Sequence, residues 1–241
     1  MIFTAAFFLC AVLAASIAAV TGFGIGSILT PVLALRVGTS LAVAAVAIPH
    51  FVGTALRFWV LRRHVDRRVL LGFGITSAIG GLAGALLHTW VSSRALGAVF
   101  GCLLILAATS ELTGWIGRVR WGRSAAWAAG LLSGLFGGLV GNQGGIRSAA
   151  MLGFDVPKES FVATATAIGL FVDAARLPVY VATQGAAMAR LAPLLLVAIA
   201  GVTAGTVLGT RVLTRLPRQL FRRVVAVLLL ALGAYMLAVS L

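Results

Sequence analysis

The sequence predicts an all-α polytopic membrane protein made of two inverted repeats, each a glycine-broken helix or re-entrant hairpin followed by three transmembrane helices. Three observations carry that prediction. The chain of 241 residues is 61% hydrophobic with a mean hydropathy of +1.11, and apolar runs near 20 residues, the length that crosses a bilayer as helix, recur along it. Two of these runs are interrupted by glycine-rich stretches at corresponding places, Thr21-Gly22-Phe23-Gly24-Ile25-Gly26-Ser27 and Gly141-Asn142-Gln143-Gly144-Gly145. The excess of arginine in short loops also changes sides between the two halves, as an inverted duplication requires.

Residues 2–20 read as the first apolar helix. No lysine or arginine precedes it, so a signal peptide is not expected and the segment is read as part of the mature protein. After the first break a short helix from about Ser27 to Leu35 follows, with Ser27 able to cap it. A turn at Arg36–Ser40 leads to a helix over 40–61, capped by Thr39 or Ser40 and carrying Pro49, His50 and Arg57. The loop Arg62-Arg63-His64-Val65-Asp66-Arg67-Arg68 is strongly basic. Helices over 69–90 and 94–114 complete the first half, and Gly80 and Gly84 have the small-xxx-small spacing that lets a second helix approach. Trp115, Trp121 and Trp127 suit a membrane interface.

The second half repeats this order. Leu33-Ala-Leu-Arg-Val-Gly38 aligns with Leu152-Gly-Phe-Asp-Val-Pro157 at an offset of 119. Leu41-Ala-Val-Ala-Ala-Val-Ala-Ile48 aligns with Phe161-Val-Ala-Thr-Ala-Thr-Ala-Ile168 at 120. Arg57 then falls opposite Arg176, and Gly80 and Gly84 fall opposite Gly201 and Gly205. Further helices are expected over 159–182, 190–210 and 219–240. The repeats divide as residues 1–118 and 119–241 within one integral membrane domain. If each broken segment enters and leaves on one side, six helices cross fully, both termini face outward, and the loops 62–68, 118–123 and 211–223 face the cytoplasm. The first run is also long enough to span by itself.

The net charge of +14 arises from 18 arginines and Lys158 against five acids. Because the arginines crowd beside apolar spans, nucleic acid is not an expected partner; the lipid bilayer is. Cys10 and Cys102 lie in apolar runs without metal-ligand spacing, and no metal or cofactor is expected. No G-x-S-x-G or H-E-x-x-H motif and no paired aspartates point to an enzyme.

The breaks are where chemistry is expected. Glycine costs a helix about 1 kcal/mol relative to alanine, and irregular backbone at membrane depth persists only when buried in protein or lining a wet cavity. Backbone N–H groups freed at the helix starts near Ser27 and Ile146, with glycines allowing close approach, suit a small anion. The expected substrate-binding residues are Gly22, Gly24, Gly26, Ser27 and Thr30 from the first break, and Asn142, Gln143, Gly144, Gly145, Arg147 and Ser148 from the second, with Arg57 and Arg176. Arg147 has a fork suited to sulfonate or carboxylate oxygens; the competing reading is an interfacial arginine snorkelling to headgroups. Snorkelling also competes for Arg57, which lies nearer a helix end. Arg176 has Asp173 at i−3, so an internal ion pair competes there. Asp173 and His50 are the expected coupling groups, for a proton or sodium, although His50 also reads as a packed histidine. His88 and Glu111 sit near helix ends and read as interfacial.

Taken together, the motifs Gly22-Phe-Gly-Ile-Gly-Ser27 with Pro31, and Gly137-Gly-Leu-Val-Gly-Asn-Gln-Gly-Gly145, heading homologous halves of four apolar segments each, resemble the sulfite exporter TauE/SafE family of bacterial permeases over essentially the whole chain. That resemblance implies transport of a small sulfur-containing anion, sulfite or an organosulfonate, across the bacterial inner membrane. The family often carries a proline after each break. Pro31 matches, whereas the second half reads Arg147-Ser-Ala-Ala-Met151, placing an arginine where specificity would be set. An anion channel for small oxyanions or carboxylates is the alternative function. The identity of the anion, the direction of transport and a homodimeric state are left open by the sequence.

Overall fold

The computed structural model describes the backbone of residues 2–114, 123–142, 144–151, 154, 157–213 and 218–241, and their side chains except at 123, 124, 126, 145, 149, 150, 158, 209–213 and 218–222. The described regular elements are all helical. In the first half they are α1 (Ile2–Thr21), α2 (Ile25–Val37), α3 (Thr39–Leu61), α4 (Arg67–His88, with a π-helical stretch at Leu70–Gly74) and α5 (Ser93–Thr113). In the second they are α6 (Arg123–Val140), α7 (Gly144–Met151), α8 (Lys158–Arg190), α9 (Ala192–Leu213) and α10 (Arg218–Ser240). The expected junction at 118/119, Trp115, Trp121, Arg215 and Gln143 lie outside the described residues; Trp127 is exposed.

Among the described residues six helices are long and apolar enough to cross a membrane, and α1, outside the expected six, is one of them. α9, expected over 190–210, runs Ala192–Leu213, of which the apolar stretch Ala192–Leu208 is described with its side chains. The first broken segment nevertheless doubles back: the Arg36 guanidinium at the end of α2 lies 4.0 Å over the ring of Phe3 at the start of α1.

Several expected boundaries move. α2 begins at Ile25 and α7 at Gly144, two residues earlier than read from the sequence. Gly24 (φ 136°) precedes α2, so Ser27 lies inside the helix and does not cap it. Gly38 occupies the corresponding place before α3, and the Ser40 hydroxyl instead meets His88 Nε2 at 3.1 Å. The helix expected to stop at 182 runs unbroken to Arg190, because Gln184–Arg190 is rich in alanine and good helix formers with no stop signal after Gly185.

Glycines set the helix pairing. A Cβ at Gly80 would collide with the Leu131 carbonyl and one at Gly84 with the Leu135 carbonyl, so α4 and α6 lie backbone against backbone and run in the same direction. Gly201 and Gly205 meet the Phe8 and Val12 carbonyls in the same way, pairing α9 with α1. Close backbone contact of this kind replaces the hydrophobic drive that is missing between helices in lipid. By contrast, α3 and α8 run antiparallel, His50 meeting Asp173 and Arg57 meeting Thr166. α5 and α10 are antiparallel too, with Gly97 against Ser240 and Gly101 against Gly233.

Candidate functional site

Both breaks are set by a glycine with positive φ immediately after a helix end. Gly22 (φ 83°) follows α1 and Gly141 (φ 75°) follows α6. They stand 119 residues apart, the same offset that relates the starts of α2 and α7. Such a φ is costly for a residue with a Cβ, so at these two positions glycine decides where the helix stops.

The breaks meet in the middle of the bundle. A Cβ on Gly26 would lie 2.6 Å from the Gly141 carbonyl oxygen and 3.8 Å from the His50 ring, and His50 is at the centre of α3. Gly144 is pressed against Phe23. The Ser27 hydroxyl donates to Asn142 Oδ1 at 3.4 Å, and Arg147 Nη2 donates to the Gly22 carbonyl at 3.0 Å. Four contacts thus join residues more than 100 positions apart.

Charge is concentrated around this junction. Arg57, Arg147 and Arg176 are 5%, 3% and 1% exposed, and Asp173 is fully buried. Arg57 therefore turns inward and does not snorkel: its Nε donates to Thr166 Oγ1 at 3.0 Å, because α8 packs along that face of α3. Arg176 is committed on every nitrogen. Its Nε and Nη2 reach Asp173 Oδ1 at 3.0 and 2.7 Å, and its Nη1 donates to the Gly137 carbonyl at 2.7 Å. The other Asp173 oxygen lies 2.6 Å from His50 Nδ1, so His50 is more than a packing residue.

The C-terminal end of α6 is held by side chains from neighbouring helices. The Tyr180 hydroxyl donates to the Gly138 carbonyl, next to the Gly137 carbonyl taken by Arg176. His88 Nδ1 lies 2.7 Å from the Leu139 carbonyl and its ring is 5.2 Å from that of Tyr180. His88 is 1% exposed, which corrects its interfacial reading; a helix end interrupted inside protein leaves carbonyls without intrahelical partners, and buried side chains supply them.

What is left over defines the site. Among the described residues, Arg57 Nη1, Arg147 Nε and Nη1, Asn142 Nδ2, Thr30 Oγ1 and Thr54 Oγ1 are buried without a partner. A buried polar atom without a partner costs roughly 1–3 kcal/mol, more when charged, and here six such atoms gather around one junction. Of the residues expected from the sequence, Gly22, Gly26, Ser27, Thr30, Asn142, Gly144 and Arg147 come together there, with Gly24 before α2 and Gly145 in the first turn of α7. Ser148 is half-buried on α7. Thr54 and Thr166 are additions. Thr54 stands at the place in the first half that Asp173 holds in the second, a correspondence visible in the 119-residue offset.

A chain whose described elements are all helical, with six membrane-length helices among them and buried, unpartnered cationic donors at two helix breaks, has the make-up of a multi-pass membrane transport protein. The family model described as Sulfite exporter TauE/SafE matches residues 7–236, and the chain belongs to that family, whose members transport sulfite or related anions. Neither a curated protein nor a solved structure matches it.

Proposed function

We propose that the protein is a secondary transporter that moves a small sulfur-containing anion of the sulfite or organosulfonate class across the bacterial inner membrane, binding it at the junction of the two breaks. The observation that carries this reading is the set of unpartnered donors on Arg57, Arg147 and Asn142, joined by the Thr30 and Thr54 hydroxyls. Two guanidinium groups buried with no carboxylate bonded to them among the described residues are expensive in a membrane, and an oxyanion with several acceptor oxygens resolves both the charge and the missing hydrogen bonds. Arg176, Tyr180 and His88 hold the second break; the ligand falls to Arg57 and Arg147. Asp173 with His50 is the coupling pair, a carboxylate and an imidazole within 2.6 Å at the same depth.

The halves are read as an inverted repeat. Its support is that counterpart helices α3 and α8, and counterpart helices α5 and α10, run antiparallel, while the pairings α4 with α6 and α1 with α9 exchange under the same correspondence. Alternating access would then arise by one half rocking against the other around the junction.

Counter-flow in proteoliposomes tests the transporter reading. Unlabelled sulfite trapped inside should accelerate uptake of labelled sulfite several-fold. Uptake indifferent to the trapped anion, together with sustained current, would identify a channel in its place.

A further inference from the structure

We propose that the central site selects doubly charged oxyanions over singly charged ones, and that Arg57 and Arg147 act together to do so. This deepens the anion-transporter reading and rests on it. The two halves carry an arginine at equivalent places, Arg57 on α3 and Arg176 on α8, 119 residues apart. Three residues earlier, on the same helix face, the second half has Asp173 and the first has Thr54. The charge of Arg176 is therefore cancelled in place by a carboxylate at 2.7 Å. Arg57 has instead a neutral hydroxyl, Thr166 Oγ1 at 3.0 Å, and one nitrogen without a partner.

Arg147 is the second uncompensated cation. It donates to a neutral carbonyl, Gly22, and its Nε and Nη1 are unpartnered. A Cβ placed on Gly169 would lie 3.1 Å from Arg147 Nη1 and 3.6 Å from Thr54 Cγ2, so Arg147 reaches the α3 face that carries Thr54 and Arg57. Among the described residues the acid bonded in this region is Asp173, and it is taken by Arg176 and His50.

The charge count follows: among the described residues three guanidinium groups and one carboxylate surround the junction, and with His50 neutral two positive charges are in excess. A monoanion leaves one of them buried and unpaired, whereas a dianion neutralises both. The donor set makes the same demand. Arginine and amide nitrogens only donate, and the Thr30 and Thr54 hydroxyls can turn to donate. The ligand must therefore present acceptors all round, and a protonated oxygen would meet N–H groups. The site is thus matched to fully deprotonated sulfite, sulfate or thiosulfate, and among organosulfonates to those bearing a second anionic group.

Sulfate and methanesulfonate provide the test, being similar in size, both tetrahedral at sulfur, and different by one charge. Titrated into purified full-length protein by calorimetry, sulfate should bind roughly 10- to 100-fold more tightly, the value of one charged hydrogen bond. Thr54→Asp gives Arg57 the i−3 carboxylate that Arg176 already has, and should bring the ratio close to one. Arg57→Gln should do the same by removing the charge, and serves if Thr54→Asp does not fold. Arg57→Lys should keep the preference, and Thr54→Asn should weaken both anions alike with the ratio retained. Equal affinity of the wild type for the two anions overturns the selectivity and leaves the anion site standing. A ratio that survives in folded Thr54→Asp or Arg57→Gln overturns the role of Arg57. Absence of binding for sulfate, methanesulfonate, sulfite and thiosulfate alike overturns the transporter site on which the proposal rests.

Discussion

Replacing Asp173 by Asn removes one negative charge from a carboxylate that is fully buried and bonded to both His50 and Arg176. The side chain keeps its size, so the perturbation is electrostatic. One amide oxygen can still accept from Arg176, but the guanidinium then sits buried with only the dipoles of the new amide and the Gly137 carbonyl around it. Removing one member of a buried ion pair costs about 3–5 kcal/mol. For a chain of this length that corresponds to a fall in Tm on the order of 6–20 °C. Thermal unfolding of the detergent-purified variant, followed by loss of monodisperse protein, reads it directly. Adding Arg176→Gln should recover part of the loss, because the double variant leaves no unpaired charge at residue 176, and the departure from additivity should be about 0.5–3 kcal/mol. A single-variant shift under 2 °C, or a double variant that falls by the sum of its parts, would refute the assignment of Asp173 and Arg176 as the electrostatic anchor of the second break.

Other outcomes follow from the same geometry. Arg147→Gln should weaken anion binding roughly 10- to 100-fold, while Arg63→Gln, in the exposed loop, should bind like the wild type in the same titration. Gly26→Ala places a methyl carbon 2.6 Å from the Gly141 carbonyl oxygen, so the two breaks must separate by several tenths of an ångström; transport in proteoliposomes should fall at least tenfold, by the sensitivity of such sites to small displacements, with protein yield retained. Asp173→Asn, where it remains folded, should change the pH profile of transport more than the apparent affinity for the anion; an unaltered profile would make the Asp173–His50 pair structural. Membrane-impermeant thiol labelling of intact cells, in a background lacking Cys10 and Cys102, should reach cysteines added at residues 1 and 241 and not those at Arg63 or Arg218; a basic loop labelled from outside would sink the inverted arrangement.

The breaks were legible because glycine runs and paired amides have little place in an apolar span unless its helix is interrupted there. Gly22 and Gly141 do stop their helices, and Gly80 and Gly84 do bring a second helix into backbone contact. Arg147 was legible as a charge where hydrocarbon would not tolerate one, and the Asp173–Arg176 pair from its i, i+3 spacing. Position along a helix misled for Arg57 and His88, since distance from a helix end says nothing about which way the side chain turns or what packs there. The reading of Ser27 as a cap missed because a glycine with positive φ starts α2 two residues sooner.

By itself, then, the sequence determined that this is a helical membrane protein with two interrupted segments, since hydropathy, span length and glycine content are local properties that no partner helix can alter. The tertiary structure decided which cations are cancelled and which are free. Arg176 is saturated by Asp173 and the Gly137 carbonyl, whereas Arg57, read from the sequence as nearer a helix end, is buried and among the described residues donates to Thr166. The Asp173 partner of Arg176 is local, but the Gly137 carbonyl, 39 residues away, and Thr166, 109 residues from Arg57, come within hydrogen-bonding distance only through packing.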